Sequence, residues 1–345
     1  MVDFSIGIGR VYKNGGNMSK GIIAAGNWIV DIVKTIDRFP SVGELCNVLS
    51  LERCGGGGPC NVLFDLAAMG VDFPLYAAGK LGADAEGDFL VSESTKRGIN
   101  TRWLKRTEDS HTSYTDVMSG NGKRTFFHYR GANAALVPKD LTDIDIPAKI
   151  FYLGYLLLLD KLDEPDAEYG TGGARVLHAM QERGYQTVVD FVSEAPAKFK
   201  RVVMASLPYI DVLVINEIEA GNTFDLAVRG EDNSLDFDAL EKASQLFFEH
   251  GVKEMVVFHY PEGAWIQKKG FEGQFSSTEL VPADKIVGAN GAGDAFCAGF
   301  LYGLHEELPL DEVLRYANTS ASCNLMSATA SGGAVSLKKM RKMMS

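Results

Sequence analysis

Residues 288–296 read GANGAGDAF, three glycines in six positions followed by an aspartate and an apolar run. A glycine-rich turn lets the backbone come close to a ligand. When such a turn begins a helix, the N–H groups of the first turn attract an anion. Gly291, Ala292 and Gly293 are therefore predicted to face a phosphate, with Asp294 beside them in the first helical turn. The Asp294 carboxylate either caps the helix or accepts a proton from a bound alcohol.

A second glycine-rich stretch, GGGGPCN at residues 55–61, leads into the apolar helical pattern VLFDLAAMG. Phosphoryl transfer requires mainly positioning and charge stabilisation, which glycine turns and one acid can supply. Other signatures are missing from the sequence: the P-loop GxxxxGK[ST], the dinucleotide GxGxxG, the hydrolase GxSxG and the zinc-protease HExxH. The six histidines have no ligand spacing and are interpreted as surface or core residues.

The composition indicates a globular enzyme and argues against several partners. Of 345 residues, 46% are hydrophobic and 23% are charged, which allows a substantial core. The net charge is −11, and the basic cluster at residues 338–342 suits a final helix turn, which argues against nucleic acid. Apolar runs such as residues 151–159 are shorter than the about 20 residues of a membrane span. Five cysteines without CxxC spacing, and no signal-peptide pattern, predict reduced thiols and a cytoplasmic protein.

Strand-like and helix-like segments alternate along the chain. Apolar runs typical of buried strands begin near residues 21, 73, 150, 186, 210 and 254. Helical patterns cover residues 60–69, 84–98, 172–184, 236–250, 291–305 and 311–328. This alternation predicts an α/β fold with a mostly parallel sheet covered on both faces.

Two segments break that alternation. Residues from about 41–55 and 110–131 show strand-like alternation, and the second segment turns at residues 120–122 (Gly-Asn-Gly). They predict a small antiparallel β lid. The lid belongs to a single domain at residues 21–345, which follows a flexible tail at residues 1–20.

The two glycine-rich stretches resemble the signatures of the ribokinase-like (phosphofructokinase-B type) carbohydrate kinases. Further motifs resemble those of the family, in the family's order: residues 26–31 (GNWIVD), 79–87 (GKLGADAEG), 130–134 (RGANA) and 216–219 (NEIE). Several ordered motifs are more specific than any single one, and the resemblance covers roughly residues 21–335. It implies a ribokinase-like three-layer α/β/α fold with a β lid.

The resemblance also implies a role for each matching residue. Asp294 would be the catalytic base, with Gly291, Ala292 and Gly293 as the anion hole. The other implied contacts are Asp31, at the end of the first strand, Gly57 and Asn61 with the acceptor's hydroxyls, and Asn216 and Glu219 with the phosphates of Mg²⁺–ATP, Glu219 acting through water. The helix from about residue 311 would line the adenine pocket. The lid would close over the substrate and could pair two subunits.

Several of these residues have plainer structural interpretations. Asp31 could cap a loop, Asn61 could cap a helix and Gly57 could serve only the turn. Glu219 could be a solvated helix acid. Asp84 and Asp88 are interpreted as acids at a helix start, where the helix dipole favours them.

Three departures from the family pattern limit what the resemblance implies. Residues 288–289 (Gly-Ala) replace an Asp-Thr pair whose aspartate often helps to hold a monovalent cation, which leaves activation by K⁺ open. Phe258 and Tyr260 replace a threonine and a glycine, which puts nucleotide contacts at that edge in question. Ile29 and Gly58 replace the asparagine and lysine of a strict ribokinase, so ribose is not the first choice of substrate.

The sequence predicts an ATP-dependent kinase of a hydroxyl, in the first place a primary one, of a small sugar or sugar derivative. Arg130, next to His128 and Tyr129, could bind a carboxylate or phosphate of the acceptor, or could lie along the lid surface. One alternative is a nucleoside kinase, with Trp28, Phe127 and Tyr129 as candidates to stack the base. Another is a non-catalytic relative that binds sugar or nucleotide.

Overall fold

The computed structural model describes residues 20–192 and 196–344, so the expected tail lies outside the described residues except for Lys20. The strands of these ranges are β1 (Ile22–Gly26), β2 (Ile29–Ile36), β3 (Val48–Gly56), β4 (Leu75–Gly82), β5 (Asn100–Thr107), β6 (Tyr114–Gly120), β7 (Lys123–Tyr129), β8 (Ile150–Leu156), β9 (Pro165–Asp166), β10 (Gly170–Thr171), β11 (Gln186–Phe191), β12 (Val212–Asn216), β13 (Met255–Tyr260), β14 (Gly263–Lys268) and β15 (Gln274–Ser277). The helices are α1 (Gly58–Met69), α2 (Ala85–Lys96), α3 (Gly131–Ala134), α4 (Pro138–Thr142), α5 (Asp160–Asp163), α6 (Gly172–Glu182), α7 (Pro196–Ser206), α8 (Glu217–Phe224), α9 (Phe237–Glu249), α10 (Ala292–His305), α11 (Leu310–Leu325) and α12 (Leu337–Met344). None of the helices in these ranges is long and apolar enough to span a bilayer.

Nine strands form the central sheet in the order β15-β14-β13-β12-β11-β8-β1-β4-β5. From β13 to β5 every neighbouring pair is parallel, and the hairpin β14–β15 extends one edge antiparallel. β1 and β8 are buried along nearly their whole length because they consist mainly of apolar residues. The predicted α/β fold with a mostly parallel sheet is confirmed.

Helices cover both faces of this sheet. Ile22 of β1 belongs to a core that also contains side chains of α1, α2, α10, α11 and α12. Its neighbour Ile23 belongs to a second core with side chains of α4, α6, α7, α8 and α9. Since successive residues of a strand point to opposite faces, the two cores lie on opposite sides of the sheet. The structure is therefore the expected three-layer α/β/α arrangement.

The first apolar run forms two strands instead of one. β1 ends at Gly26 in the central sheet, whereas β2 belongs to the lid. Between them, Trp28 is fully buried and its indole N–H donates to the Ala78 carbonyl at 2.9 Å. The prediction that the first strand ends at Asp31 is therefore wrong. The anchored tryptophan separates the two strands, and Asp31 lies within a lid strand.

The lid is a separate four-stranded sheet in the order β3-β2-β6-β7. β2 pairs antiparallel with β3 and parallel with β6, and β6 and β7 form an antiparallel hairpin. Asn121 and Gly122 in its turn have φ angles of 51° and 71°, which suit a two-residue type I′ turn. The expected purely antiparallel lid is therefore wrong in one respect, because β2 joins the two predicted segments through a parallel pair.

Candidate active site

Polar side chains gather where the parallel strands end, at the carboxyl edge of the central sheet. Ligands of open α/β sheets bind at this edge. Tyr155 and Asp190 lie at the ends of β8 and β11, and Asn216 at the end of β12. α1 and α10 begin nearby and contribute Asn61 and Asp294. The topology thus brings together residues that are far apart in sequence.

Asp294 lies in the first turn of α10 and is only 3% exposed. The Asn61 side-chain amide donates to its Oδ2 at 2.8 Å, and the Tyr155 hydroxyl lies 2.9 Å from Oδ2 and 3.0 Å from Oδ1. Burial raises the pKa of Asp294 to about 6, against the lowering effect of these two hydrogen bonds. A carboxylate with such a pKa is suited to accept a proton near neutral pH.

The backbone before α10 requires glycine at position 291. Gly291 has a φ of 76°, and a Cβ there would lie 2.2 Å from the Ala330 carbonyl oxygen. In the part of the chain that the structure describes, the helical bonds of α10 begin with Ala295 N–H, which donates to the Gly291 carbonyl at 2.8 Å. The N–H groups of Gly293 and Asp294 lie before this first helical hydrogen bond, so they are available to an anion.

His259 lies beside this anion loop. A Cβ on Gly293 would come 3.2 Å from its ring, and the ring packs on Phe296 with centroids 5.1 Å apart. Burial lowers the pKa of His259 to about 4, so the ring is neutral near pH 7. On the same loop, Ala292 N–H makes a long 3.3 Å bond to the Ala289 carbonyl. A neutral imidazole therefore borders the N–H groups of the loop.

The replacements at Phe258 and Tyr260 belong to the core. Phe258 is fully buried, and Tyr260 is buried and stacks on Phe275. Both belong to the core on the side of the sheet away from α10. Because side chains alternate along β13, His259 points the other way, toward α10. The residue that borders the site is thus the one between the two replacements.

The glycine-rich stretch before α1 keeps its shape through close backbone contacts. Gly57 has a φ of 87°, and a Cβ there would lie 2.1 Å from the Asn27 carbonyl oxygen. The Asp31 carboxylate packs on Gly56, where a Cβ would come within 2.5 Å of it. Burial, together with the charge of Asp294, raises the pKa of Asp31 to about 7. The predicted acceptor-binding residues therefore lie close to Asp294.

Strand pairing decides which lid residues share a face with Asp31. Asp31 pairs with Thr115, and Thr115 pairs with His128, so these three side chains point to one face of the lid. The Thr115 hydroxyl and His128 Nδ1 are 2.9 Å apart, which agrees with this arrangement. Phe126 lies on the same face, which we call the inner face, and Phe127 lies on the opposite, outer face.

The residues considered for stacking a nucleoside base are not placed for that role. Trp28 is fully buried in the core, and Phe127 and Tyr129 lie on the outer face of the lid. This part of the expectation is wrong, because alternation along β7 turns both aromatic rings away from Asp31. On the inner face, the phenyl ring of Phe126 is 53% exposed.

A cavity of about 460 Å³ lies between the inner face of the lid and the loop before α10. It is lined by Ser119, Gly122, Arg124, Phe126, Val287, Gly288, Ala289 and Asn290. The Arg124 guanidinium packs on Gly288, where a Cβ would lie 2.6 Å from Nη2. The same nitrogen donates to the Ala328 carbonyl at 3.1 Å. Arg124 therefore joins the lid to the loops beside the anion hole.

Arg130 contacts the loop that follows β8. Its Nη1 donates to the Leu157 carbonyl at 3.1 Å and to the Asp160 carboxylate at 2.9 Å. The structure thus places this guanidinium against the body of the protein instead of along the surface of the lid. Contact with an acceptor stays a prediction.

Asn216 and Glu219 form a capping box at the start of α8. The Asn216 side chain accepts the Glu219 N–H at 2.8 Å, and the Glu219 carboxylate accepts the Asn216 N–H at 3.2 Å. Glu219 is only 4% exposed, so it is not a solvated helix acid. Loss of solvation, followed by the charges of Asp294 and Glu219, raises the pKa of Asp190 well above its usual range. The charges of these acids therefore influence one another at the carboxyl edge of the sheet.

Sequence reasoning missed three residues of the site: Tyr155, Asp190 and His259. Tyr155 and Asp190 lie at the carboxyl ends of predicted strands, so the rule that ligands bind at that edge could have indicated them. His259 lies between Phe258 and Tyr260, which replace the usual family residues, and this position could have drawn attention to it. The left-handed backbone of Tyr155, with a φ of 62°, has no sequence signature.

A pfkB family carbohydrate kinase domain matches residues 20–336 of the chain. The chain belongs to the pfkB family of carbohydrate kinases. It is 23% identical over 310 residues to the ribokinase of Staphylococcus aureus (strain COL), covering 88% of this chain and 93% of that protein. It is 29% identical over 290 residues to the adenosine kinase of Saccharomyces cerevisiae, covering 80% of this chain and 79% of that protein. The structure of Arabidopsis thaliana ribokinase complexed with ribose and ATP is similar at a TM-score of 0.75 and 21% identity, covering 95% of this chain and 99% of that one.

These findings confirm the family that the ordered motifs indicated, and with it the ribokinase-like fold. The protein is a carbohydrate kinase of this family. Ribokinases and a probable fructokinase are among its relatives, which is consistent with phosphorylation of a sugar by ATP.

Proposed function

We propose that this kinase transfers the γ-phosphate of ATP to a hydroxyl, in the first place a primary one, of a small sugar or sugar derivative. The observation that supports this most strongly is the 2.8 Å contact between Asn61 and Asp294, which joins the two glycine-rich stretches around one buried carboxylate. Asp294 is the proposed base. Asp31, Gly57 and Asn61 are the proposed acceptor contacts.

In the proposed step, the acceptor oxygen attacks the γ-phosphorus while its proton passes to the Asp294 carboxylate. The bond between the γ-phosphorus and the bridging oxygen of ATP breaks, and ADP leaves with both electrons of that bond. The N–H groups of Gly291, Ala292 and Gly293 are the proposed donors to the charge on the transferred group, and the long 3.3 Å bond from Ala292 N–H to the Ala289 carbonyl would give way to that contact. General-base assistance of this kind is worth about 10²- to 10⁴-fold in rate.

Asn216 and Glu219 are the proposed contacts for the phosphates of ATP and its Mg²⁺. Carboxylate oxygens are ligands that Mg²⁺ prefers, and Glu219 is the proposed carboxylate here. The Glu219 carboxylate already accepts the Asn216 N–H, so we expect its contact with the metal to pass through water. When bound, Mg²⁺ neutralises charge on the β- and γ-phosphates. The helix α11, which packs along α10, is the proposed wall of the adenine pocket.

Activity without K⁺ is proposed on the basis of Arg124. Its guanidinium packs on Gly288 and donates to the Ala328 carbonyl, so a cationic side chain already stands beside the anion loop. We expect the phosphorylation rate to be the same in K⁺ and Na⁺ buffers of equal ionic strength. A rate that rises several-fold in K⁺ alone would contradict this part of the proposal.

The lid is the proposed surface for a homodimer. Leu51 and Phe127, on its outer face, are 63% and 58% exposed. Exposed apolar side chains on one face of a sheet are typical of an interaction surface. Light scattering of the wild type and of Leu51→Glu would test this. A wild-type mass equal to the 37.5 kDa chain would contradict the dimer.

A nucleoside kinase is the second candidate function. The similarity to yeast adenosine kinase and the exposed ring of Phe126 on the inner face of the lid favour it. Base stacking on an aromatic side chain would use Phe126 in place of the three residues considered from the sequence. A non-catalytic binding role is less well supported, because a binding protein has no need of a buried base.

A coupled assay of ADP release over a panel of sugars, sugar acids and nucleosides tests the proposal. We expect one class of sugar to stimulate ADP release from Mg²⁺–ATP well above the rate without acceptor. Stimulation by nucleosides alone would favour the second candidate. Tight ligand binding without ADP release would overturn the kinase reaction proposed here.

A further inference from the structure

The Tyr155 hydroxyl lies at Asp294, where a base must meet its acceptor. It is within 2.9 and 3.0 Å of the two carboxylate oxygens, and Asn61 also donates to Oδ2. A base accepts a proton from a hydroxyl that lies about 2.6–3.2 Å from it. Tyr155 therefore occupies the hydrogen-bonding position that an acceptor hydroxyl needs.

The backbone that directs Tyr155 to this position is strained. Tyr155 and Leu157 have φ angles of 62° and 87°, which are unfavourable for bulky side chains. Such strain persists where the surroundings hold it, and it is concentrated at functional sites. Leu157 N–H donates to Asp163 at 3.0 Å, and the Leu157 carbonyl accepts from Arg130 at 3.1 Å and Lys198 at 2.8 Å. Three charged side chains thus hold the loop in the conformation that points Tyr155 at the base.

Gly58, the first residue of α1, leaves space for the Tyr155 ring. A Cβ on Gly58 would come within 2.9 Å of the ring, so any larger side chain there would displace it. Loss of solvation, together with the charge of Asp294, raises the pKa of Tyr155 well above its usual range. The phenol therefore stays protonated near neutral pH, and it donates to Asp294.

We propose that Tyr155 is a positioning residue that occupies the acceptor's place at Asp294 in the free enzyme and is displaced by the acceptor hydroxyl. Without an acceptor, the phenol keeps water from the base and so limits transfer of the γ-phosphate to water. With an acceptor, one hydroxyl replaces another on the carboxylate. This inference rests on the proposed role of Asp294 as the base.

The pH dependence of Asp294 reflects several neighbours in addition to Tyr155. The titratable groups that face it from the adjoining elements are Asp31 of β2, Cys60 and Asp65 of α1, Tyr152 of β8, Asp190 of β11, His259 of β13 and Cys297 of α10. We expect all of them to keep their positions when only the Tyr155 hydroxyl is removed. The hydroxyl lowers the pKa of Asp294, so Tyr155→Phe is expected to raise it.

The first test uses the free protein and needs no acceptor. The carboxyl carbon of Asp294 is titrated by NMR in the wild type and in Tyr155→Phe, with Asp294→Asn to assign the signal, and ADP release from Mg²⁺–ATP is measured without acceptor. We expect the pKa of Asp294 to rise and ADP release to increase at least about threefold in Tyr155→Phe. If both stay at their wild-type values, the inference is overturned.

The second test uses the acceptor found with the panel. The acid limb of kcat/KM reports the free enzyme, and that of kcat reports the complex. Because Asp294 must be deprotonated to act, its raised pKa should move the limb of kcat/KM to higher pH in Tyr155→Phe. The limb of kcat should not move, since the acceptor has already replaced the phenol. Limbs that move together would show that Tyr155 stays on Asp294 in the complex, which contradicts the inference.

Two further variants distinguish the proposed effect from a general loss of structure. Gly58→Ala keeps the hydroxyl but crowds the ring, so it should also increase ADP release without acceptor, and wild-type release would contradict the inference. Tyr209→Phe removes a half-buried tyrosine hydroxyl at the opposite edge of the sheet and should change neither readout. If no acceptor is found, the proposed function fails, but the titration of Asp294 still decides whether Tyr155 contacts the base as described.

Discussion

The start of α10 and the lid differ in how their polar and apolar groups are arranged. At the start of α10, the buried Asp294 carboxylate accepts hydrogen bonds from Asn61 and Tyr155, and glycine positions such as Gly291 leave no space for a side chain. In the lid, large apolar side chains such as Leu51 and Phe127 are more than half exposed. Buried networks hold groups in fixed positions, whereas exposed strands can move and change partners.

We infer from this difference that the two regions have separate roles. The groups proposed to act on the phosphate lie on the rigid edge of the central sheet, while Asp31 and the inner face of the lid are proposed to select the acceptor. Substitutions near α10 should therefore affect the maximal rate. Substitutions in the lid should mainly affect the KM of the acceptor.

The largest effect is expected for Asp294→Asn. Without the base, kcat should fall at least about 10²-fold while ATP affinity changes only a few-fold. Steady-state kinetics and ATP titration measure both. The matched control is Asp88→Asn, also in a first helical turn but with a side chain 78% exposed, which should leave kcat unchanged. An unchanged rate in Asp294→Asn would remove that residue from its proposed role.

Next in size is the effect of Gly291→Ala. The added methyl group would meet the Ala330 carbonyl at 2.2 Å in a left-handed backbone, so we expect a loss of more than about 2 kcal/mol in unfolding free energy. Gly288→Ala is the matched control, because its methyl group meets only the flexible Arg124 side chain, and it should cost less than about 1 kcal/mol. Denaturant unfolding measures both. Equal losses would contradict the rigid geometry assigned to the loop.

A smaller effect on catalysis is expected for Asp31→Asn. The KM of the acceptor should rise at least about tenfold, because a charged hydrogen-bond partner is lost. The same substitution should increase the stability of the fold near neutral pH. The pKa of Asp31 is about 7 in the folded protein, above its ordinary 3.8, so the fold binds the proton more tightly and loses stability as pH rises between these values.

Thermal unfolding of Asp31→Asn at two pH values checks the stability part. The variant should be more stable than the wild type above about pH 7, where the wild-type carboxylate is charged, and similar to it near about pH 4. A variant that is less stable at the higher pH would show that the charge of Asp31 is compensated within the fold.

The smallest effect is expected for Phe126→Ala. Loss of an aromatic contact on the inner face of the lid should raise the KM of the acceptor about three- to tenfold with little change in kcat. Phe127→Ala, one residue further on the outer face, is the matched control and should leave KM unchanged. Reversed results would show that the two faces have been assigned the wrong way round.

The sequence predicts the central sheet and the glycine-rich loops well because each depends on local patterns. Apolar runs decide the buried strands, and Gly57 and Gly291 occupy positions that other residues cannot adopt. The break after β1 is not predictable in this way, since Trp28 interrupts an apolar run with another apolar residue. Its position depends on a partner, Ala78, that is distant in sequence.

The candidate site is predictable only in part, because some of its contacts also depend on partners that are distant in sequence. Asp294 and Asn61 lie in recognisable motifs, whereas Tyr155 reaches the base only because Gly58 leaves space for its ring. The faces of the lid depend on strand register, and a register shift of one residue exchanges Phe126 and Phe127. Such relations come from packing between separate segments.

The central claim is that Asp294 accepts the acceptor's proton during phosphoryl transfer. The most direct measurement is the single-turnover rate of transfer from bound Mg²⁺–ATP as a function of pH, in the wild type and in Asp294→Asn. With a base whose pKa is about 6, the wild-type rate should fall about tenfold per pH unit on the acid side, and the variant should be slow and insensitive to pH. A wild-type rate that stays constant across about pH 5–8, or a variant with the same acid limb as the wild type, would contradict the claim.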